Sequence, residues 1–200
     1  CILVYYAVRQ IVEEREEGVK RELLERMAYT DLLTGLPNRN AFEKRMEALR
    51  GSGISGTMVV VADLNDLKRI NDQRGHQKGD AALIFVADAL KASFQDKEEL
   101  YRIGGDEFCA LSGRITGEEL EDFAASLQKK LEEGETKLGF PVSVAVGWSR
   151  EDECGIDLAF RRADFTMYEK KQQMKREREQ DETRLEPSES GCGGIKNETE

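Results

Sequence analysis

Between Val8 and Tyr29 the apolar residues Val8, Ile11, Val12, Val19, Leu23, Leu24 and Met27 stand in a field of Glu, Lys and Arg. Steps of three and four make a narrow stripe, which predicts a long helix suited to a partner helix rather than to a globular core; Arg15 and Gly18 interrupt it and weaken the pairing. Asp31 caps or breaks this helix, and Gly35, Pro37 and Asn38 predict a loop. A second helix follows from Arg39 to about Arg50, with Phe42, Met46 and Leu49 on one face. The pattern then changes: a continuous apolar run from Met58 ends at the carboxylate of Asp63, as in a buried central strand. Beyond it the chain predicts a short helix from about Asp66 to Arg74, a turn over Gly75–Asp80 and an amphipathic helix from about Ala81 to Phe94. Next come a hairpin of Glu99–Ile103 with Glu107–Ser112 and a helix over Glu118–Glu133 with Leu120, Phe123, Leu127 and Leu131 inward. An alternating strand over Val142–Trp148 and a closing helix from Ile156 to about Lys175 complete the chain. Gly104 and Gly105 suit a two-residue hairpin loop, whose central residues need positive φ.

From the central strand onward the order is βααββαβα. It predicts an α+β, ferredoxin-like palm domain, a mostly antiparallel central sheet with helices packed on one side, preceded by a long N-terminal signalling helix. The expected division is 1–30 for that helix, 31–176 for the domain and 177–200 for a tail. Beyond about Lys175 the sequence is charged and then rich in Ser and Gly, which predicts disorder over Asp181–Glu200. With 200 residues, 39% of them hydrophobic, the chain fills one good core.

A net charge of −10 opposes nonspecific binding of long nucleic acids, which needs a basic surface. A nucleoside triphosphate with its metal needs only a few local cations, and Lys68, Lys171 and Lys175 are candidates. The cysteines at positions 1, 109, 154 and 192 form no metal or disulfide spacing and read as reduced, cytosolic thiols, with Cys109 buried in a strand. His76, the single histidine, has no partner histidine or cysteine and on its own reads as a structural loop residue. Ile2–Val8 is apolar but far short of the ~20 residues that span a bilayer. It reads equally as the cytoplasmic end of a transmembrane helix in a longer parent or as a helix start that packs on a dimer partner.

The candidate chemistry lies in two segments. Arg102-Ile103-Gly104-Gly105-Asp106-Glu107-Phe108 puts adjacent carboxylates behind two glycines on the hairpin, and the central strand delivers Asp63 to its C-terminal end. Asp63 beside Asp106 and Glu107 would suffice for a hard cation such as Mg²⁺, which takes carboxylate oxygens together with substrate phosphates. Lys68, just past the strand, can meet phosphate; Asn65 or Asp66 is expected to cap the following helix.

These residues resemble the GGDEF family of diguanylate cyclases. The resemblance runs in order through Asp31-Leu32-Leu33-Thr34-Gly35-Leu36-Pro37-Asn38-Arg39, then Asp63, Lys68 and Asn71, then Gly75-His76-Gln77-Lys78-Gly79-Asp80, then Gly104 to Phe108, and finally Ala163, Asp164, Met167, Tyr168 and Lys171. It implies condensation of two GTP into cyclic di-GMP by a homodimer that meets through the catalytic domain and the N-terminal helix, with about two Mg²⁺ or Mn²⁺ ions per half-site. Asp63, the Leu64 carbonyl, Asp106 and Glu107 would hold the metals, Asp106 would accept the 3′-hydroxyl proton and Lys68 would neutralise transition-state charge. Asn71 and Asp80 would read guanine, with Asp80 a buried carboxylate that rejects adenine. His76 would lie near substrate, Gly104 and Gly105 would admit it, and Lys171 and Lys175 would contact the triphosphate. Lys175 stands where the family more often has arginine, keeping charge but losing a bidentate contact. Gln95 and Glu98 stand where product-inhibited members carry Arg-x-x-Asp, so that inhibitory site is expected to be absent. The implied location is cytoplasmic, at the inner face of the membrane in a membrane-anchored parent. The alternatives are a non-catalytic GTP-binding or protein-interaction module, opposed by the intact acids, and a mixed cyclic dinucleotide synthase, opposed by Asp80.

Overall fold

The computed structural model describes residues 2–52, 56–94, 99–113, 117–151 and 155–185. Along the chain lie α1 (Ile2–Tyr29), α2 (Arg39–Ser52), β1 (Met58–Leu64), α3 (Leu67–Arg74), α4 (His76–Ser93), β2 (Glu99–Arg102), β3 (Glu107–Ser112), α5 (Gly117–Leu138), β4 (Val144–Arg150) and α6 (Ile156–Leu185). The strands form one sheet in the order β2-β3-β1-β4, antiparallel at every pairing. The fold is therefore α+β with the expected βααββαβα succession from β1, preceded by α1.

Every residue of β1 is buried, because successive side chains of a strand point to opposite faces and both faces here are covered. Met58, Val60, Ala62 and Leu64 join a core with Leu83, Val86 and Leu90 of α4 and Phe123, Leu127 and Leu131 of α5. Val59 and Val61 face the other way, into a core with Phe42, Met46 and Leu49 of α2 and Ile156, Ala159, Ala163 and Met167 of α6. This corrects the expectation of helices on one side. A strand without polar alternation cannot leave either face to water, so a helical layer closes each.

Four boundaries differ in ways that bear on the site. His76 opens α4, so Gly75–Asp80 is not a turn; Gly75 alone, at φ 85°, separates α3 from α4. The hairpin loop is Ile103–Asp106, and neither Gly104 nor Gly105 has positive φ. A four-residue connection can be built around a type I turn, whose central residues need no positive φ. Helix α6 runs on to Leu185, past the expected end near Lys175 and into the expected tail; residues 186–200 lie outside the described residues. Helix α1 already begins at Ile2. Its Ile11, Val12, Val19, Leu23, Leu24 and Met27 are all exposed. Among the described residues no helix is long and apolar enough to cross a membrane.

Candidate active site

Strand alternation puts Asp63 on the same face as Val59 and Val61, the face that α6 covers. Lys171 of α6 meets it there, donating from Nζ to Asp63 Oδ1 at 2.6 Å. Asp63 is 4% exposed. Across the sheet it is in register with Glu107 of β3, and the next residue, Leu64, donates its backbone N–H to the carbonyl of Asp106 at 2.9 Å. The three acids are thus brought to one end of the two inner strands of the sheet. Burial, joined by the nearby negative charges of Asp106 and Glu107, holds the Asp63 carboxyl above its ordinary pKa despite the opposing pull of Lys171.

The hairpin is held from two sides. The N–H groups of Ile103 and Gly104 both reach the Glu107 carbonyl, at 2.9 and 3.3 Å. A Cβ on Gly104 would collide with the Glu107 carboxylate, whereas one on Gly105 would meet nothing within 4 Å. The requirement at Gly104 is space for Glu107, not an unusual backbone angle.

Asp66 occupies the N-cap position of α3, but in the left-handed region (φ 59°, ψ 25°), and its side chain caps nothing. Its carboxylate instead meets the Arg178 guanidinium. Asn65, the other expected cap, donates from Nδ2 to Ser143 Oγ at 3.0 Å. Asp31 does not cap α1 either. It accepts from the Thr34 backbone N–H at 2.9 Å and hydroxyl at 2.6 Å, and from Arg102 at 2.9 Å. The carbonyl of Ala28, at the end of α1, accepts instead from the side-chain amides of Asn38 and Asn40.

Asn71 on α3 and Gly79 on α4 are in close contact: Asn71 Oδ1 is buried without a hydrogen-bond partner, and a Cβ on Gly79 would overlap it. Asp80, one residue on, is exposed, which corrects its expected burial. It lies on the outer side of α4 because α4 starts at His76 and turns Gly79, not Asp80, toward α3. Lys68 and His76 are exposed too, and no hydrogen bond or ion pair joins either to the acids among the described residues. Lys175, 3.9 Å from Glu179, lines a cavity of about 200 Å³ with Asn65, Asp66, Ser143, Lys171, Met174 and Arg178. The sequence reading missed Arg178 and gave no role to Arg102. The signal for Arg178 was present, since positions 171, 174, 175 and 178 share one face of a helix that does not stop at Lys175.

Cys109 is buried as expected, and burial pushes its thiol far above the ordinary range, leaving it unreactive. Gln95 and Glu98 lie outside the described residues. Among the described residues no three His, Cys, Asp or Glu side chains converge tightly enough to hold a metal ion. The donor chemistry nevertheless fits a hard cation: Asp63, Asp106 and Glu107 crowd negative charge at one strand end, only partly offset by Lys171.

The model of the diguanylate cyclase GGDEF domain family matches residues 28–177. The chain is 31% identical over 149 residues to the probable diguanylate cyclase DgcJ of Escherichia coli K12, covering 72% of this chain and 29% of that protein. It is 31% identical over 179 residues to diguanylate cyclase DgcP of the same organism, covering 85% and 52%. It is also 34% identical over 167 residues to the cyclic di-GMP phosphodiesterase PdeR of that organism, covering 78% and 24%. The chain therefore spans about a quarter to a half of the length of these relatives. Among solved structures, the coiled coil and GGDEF domain of DgcB from Caulobacter crescentus in complex with c-di-GMP superposes with a TM-score of 0.72 at 25% identity, covering 85% of this chain and 94% of that one. With the motifs in order, the palm-like sheet and the acids gathered at the end of its inner strands, the chain belongs to the diguanylate cyclase GGDEF domain family.

Proposed function

We propose that this chain carries the catalytic domain of a diguanylate cyclase, which joins two GTP into cyclic di-GMP and releases two pyrophosphates. The observation that carries the reading is the meeting of Asp63 with Lys171 at the end of β1, in register with Glu107 and beside Asp106. Each 3′-oxygen attacks the α-phosphorus of the GTP held by a second copy; an O–P bond forms as the bond to pyrophosphate breaks. Two half-sites must therefore face each other, which makes the active species a homodimer.

Asp63, Asp106, Glu107 and the Leu64 carbonyl would hold Mg²⁺ or Mn²⁺, about two ions per half-site, which supply charge stabilisation and a more acidic 3′-hydroxyl when bound. Asp106 accepts the hydroxyl proton. Lys68, exposed at the start of α3, swings onto the phosphates. Lys171 and Lys175 serve the triphosphate, with Lys171 leaving Asp63 to do so. Asn71 Oδ1, buried against Gly79 without a donor, would turn outward to meet a guanine edge N–H. Asp80, exposed in the free chain, closes on that edge and is desolvated by the base, so ATP is disfavoured. His76 lies beside Asp80 on the first turns of α4, and Gly104 and Gly105 let the hairpin backbone approach the nucleotide.

Incubation with GTP and Mg²⁺ followed by chromatography tests this. Cyclic di-GMP should form, and Asp63→Ala or Glu107→Ala should reduce its formation by ~10³-fold or more. A second reading, a GTP-binding module without turnover, is favoured by the Asp63–Lys171 ion pair, which engages the central acid. Nucleotide binding with no product would select it.

A further inference from the structure

The cavity at the end of β1 is lined by three cations of α6, together with the acids Asp66 and Glu177. Lys171, Lys175 and Arg178, with Met174 between them, form one face of the helix, and all four border the same space of about 200 Å³. Arg178 lies just past the matched residues 28–177, on the part of α6 that continues to Leu185. Its side chain is about two-thirds buried and its guanidinium is held by the carboxylate of Asp66. Asp66 is itself fixed in the left-handed region, the one such non-glycine among the described residues. Arg178 is therefore positioned before any ligand arrives, and by a residue two positions past the strand that carries Asp63. The cavity lies against Lys171, the side chain that touches Asp63. If the reacting phosphate of a nucleotide sits at Asp63, Lys171 links that point to the cavity, and distal phosphates directed along α6 would meet Lys175 and Arg178.

We propose that Arg178 is a substrate-binding residue that grips the terminal phosphates of the triphosphate. The inference rests on the cyclase reading and adds a residue to its site. Lys175 is a point charge, exposed and weakly paired with Glu179 at 3.9 Å. Arg178 is the guanidinium among the described lining residues, with a planar fork that matches two phosphate oxygens at once. Asp66 orients the fork. The selectivity is for a chain of phosphates, not for the base: GMP, which ends near Asp63, does not reach Arg178.

The test is calorimetric binding of a non-hydrolysable GTP analogue and of GMP, each with Mg²⁺, to the whole chain and to its Arg178→Gln and Arg178→Lys variants. Thermal unfolding checks each fold. Arg178→Gln should weaken the triphosphate roughly 10- to 100-fold, the scale of a lost charge-assisted contact, leave GMP within about twofold, and in turnover raise KM more than it lowers kcat. Arg178→Lys should recover part of the loss. Equal weakening of both ligands, or of neither, overturns the assignment. If the unaltered chain binds neither nucleotide, the cyclase reading fails and this inference with it; if it binds both and Arg178→Gln changes nothing, only Arg178 is removed from the site.

Discussion

Arg102 joins Asp31, at the foot of α1, to the hairpin that carries Asp106 and Glu107. Its Nη1 donates to Asp31 Oδ1 at 2.9 Å and its Nη2 to the carbonyl of Gly105 at 2.6 Å, while its backbone N–H donates to the Pro37 carbonyl at 2.9 Å. One side chain thus ties the loop after α1 to the hairpin of Asp106 and Glu107. Burial alone would raise the Asp31 carboxyl, but the hydrogen bonds from Thr34 and Arg102 outweigh it and hold it below its ordinary value. Arg102→Ala should lower stability by about 2 kcal/mol and turnover ~10-fold or more, because a partly buried carboxylate loses its cation and the hairpin loses its tether. A carboxyl lowered in the folded state adds stability above its unfolded pKa, and this is lost as pH falls through the folded value. The stability gap between the unaltered chain and Asp31→Asn should therefore close on acidification. Urea unfolding from neutral to acid pH measures it, and a gap that stays constant refutes the role.

The two hairpin glycines should behave differently. Gly104→Ala pushes the Glu107 carboxylate from its place and should cut turnover by ~10²-fold, the effect expected for a misplaced ligand. Gly105→Ala meets open space without positive φ and should keep unfolding stability within about 1 kcal/mol of the unaltered chain. Parallel assays of both variants decide; equal loss of activity with intact folding in both would mean that substrate contact, not room for Glu107, sets the requirement.

Asp63 has the opposite pH sign to Asp31. Burial and neighbouring acids raise its pKa, so its contribution to stability is full below the ordinary aspartate value and is lost as pH rises through the raised one. Asp63→Asn should be inactive yet gain stability relative to the unaltered chain as pH climbs from 4 toward 7, followed by denaturant midpoints. Lys171→Met removes the cation now seated on Asp63. It should bind Mn²⁺ more tightly without nucleotide, by roughly tenfold, while losing affinity for GTP. Electron paramagnetic resonance titration reads the first effect; Mn²⁺ affinity unchanged or weaker would show that Lys171 does not compete for that position.

The exposure of Ile11, Val12, Val19, Leu23, Leu24 and Met27 on α1 supports the proposal that this helix pairs with a second copy. Deletion of residues 1–28 should lower specific activity most at low protein concentration and least at high concentration, where encounter no longer limits. Activity that is unchanged across a wide concentration series would make α1 a linker.

Local pattern determined most of what kind of element forms where. The unbroken apolar run of Met58–Ala62 gave β1, the inward-facing Leu120, Phe123, Leu127 and Leu131 gave α5, and ordered motifs brought Asp63, Asp106 and Glu107 into view. Such features are legible because periodicity and burial are properties of neighbouring residues. Contacts that define the site are of another kind. Lys171 reaches Asp63 from 108 positions away and Arg102 reaches Asp31 from 71. Both depend on strand order and on which face of β1 an odd-numbered residue takes. The apolar run identified β1 as a buried strand but led to an expectation of helices on one side; only the packed sheet put α2 and α6 on one face and α4 and α5 on the other. Helix α6 likewise outran its apolar pattern. Its later turns are polar and gain support from Arg178 on Asp66, an ion pair that exists only once β1, α3 and α6 have come together.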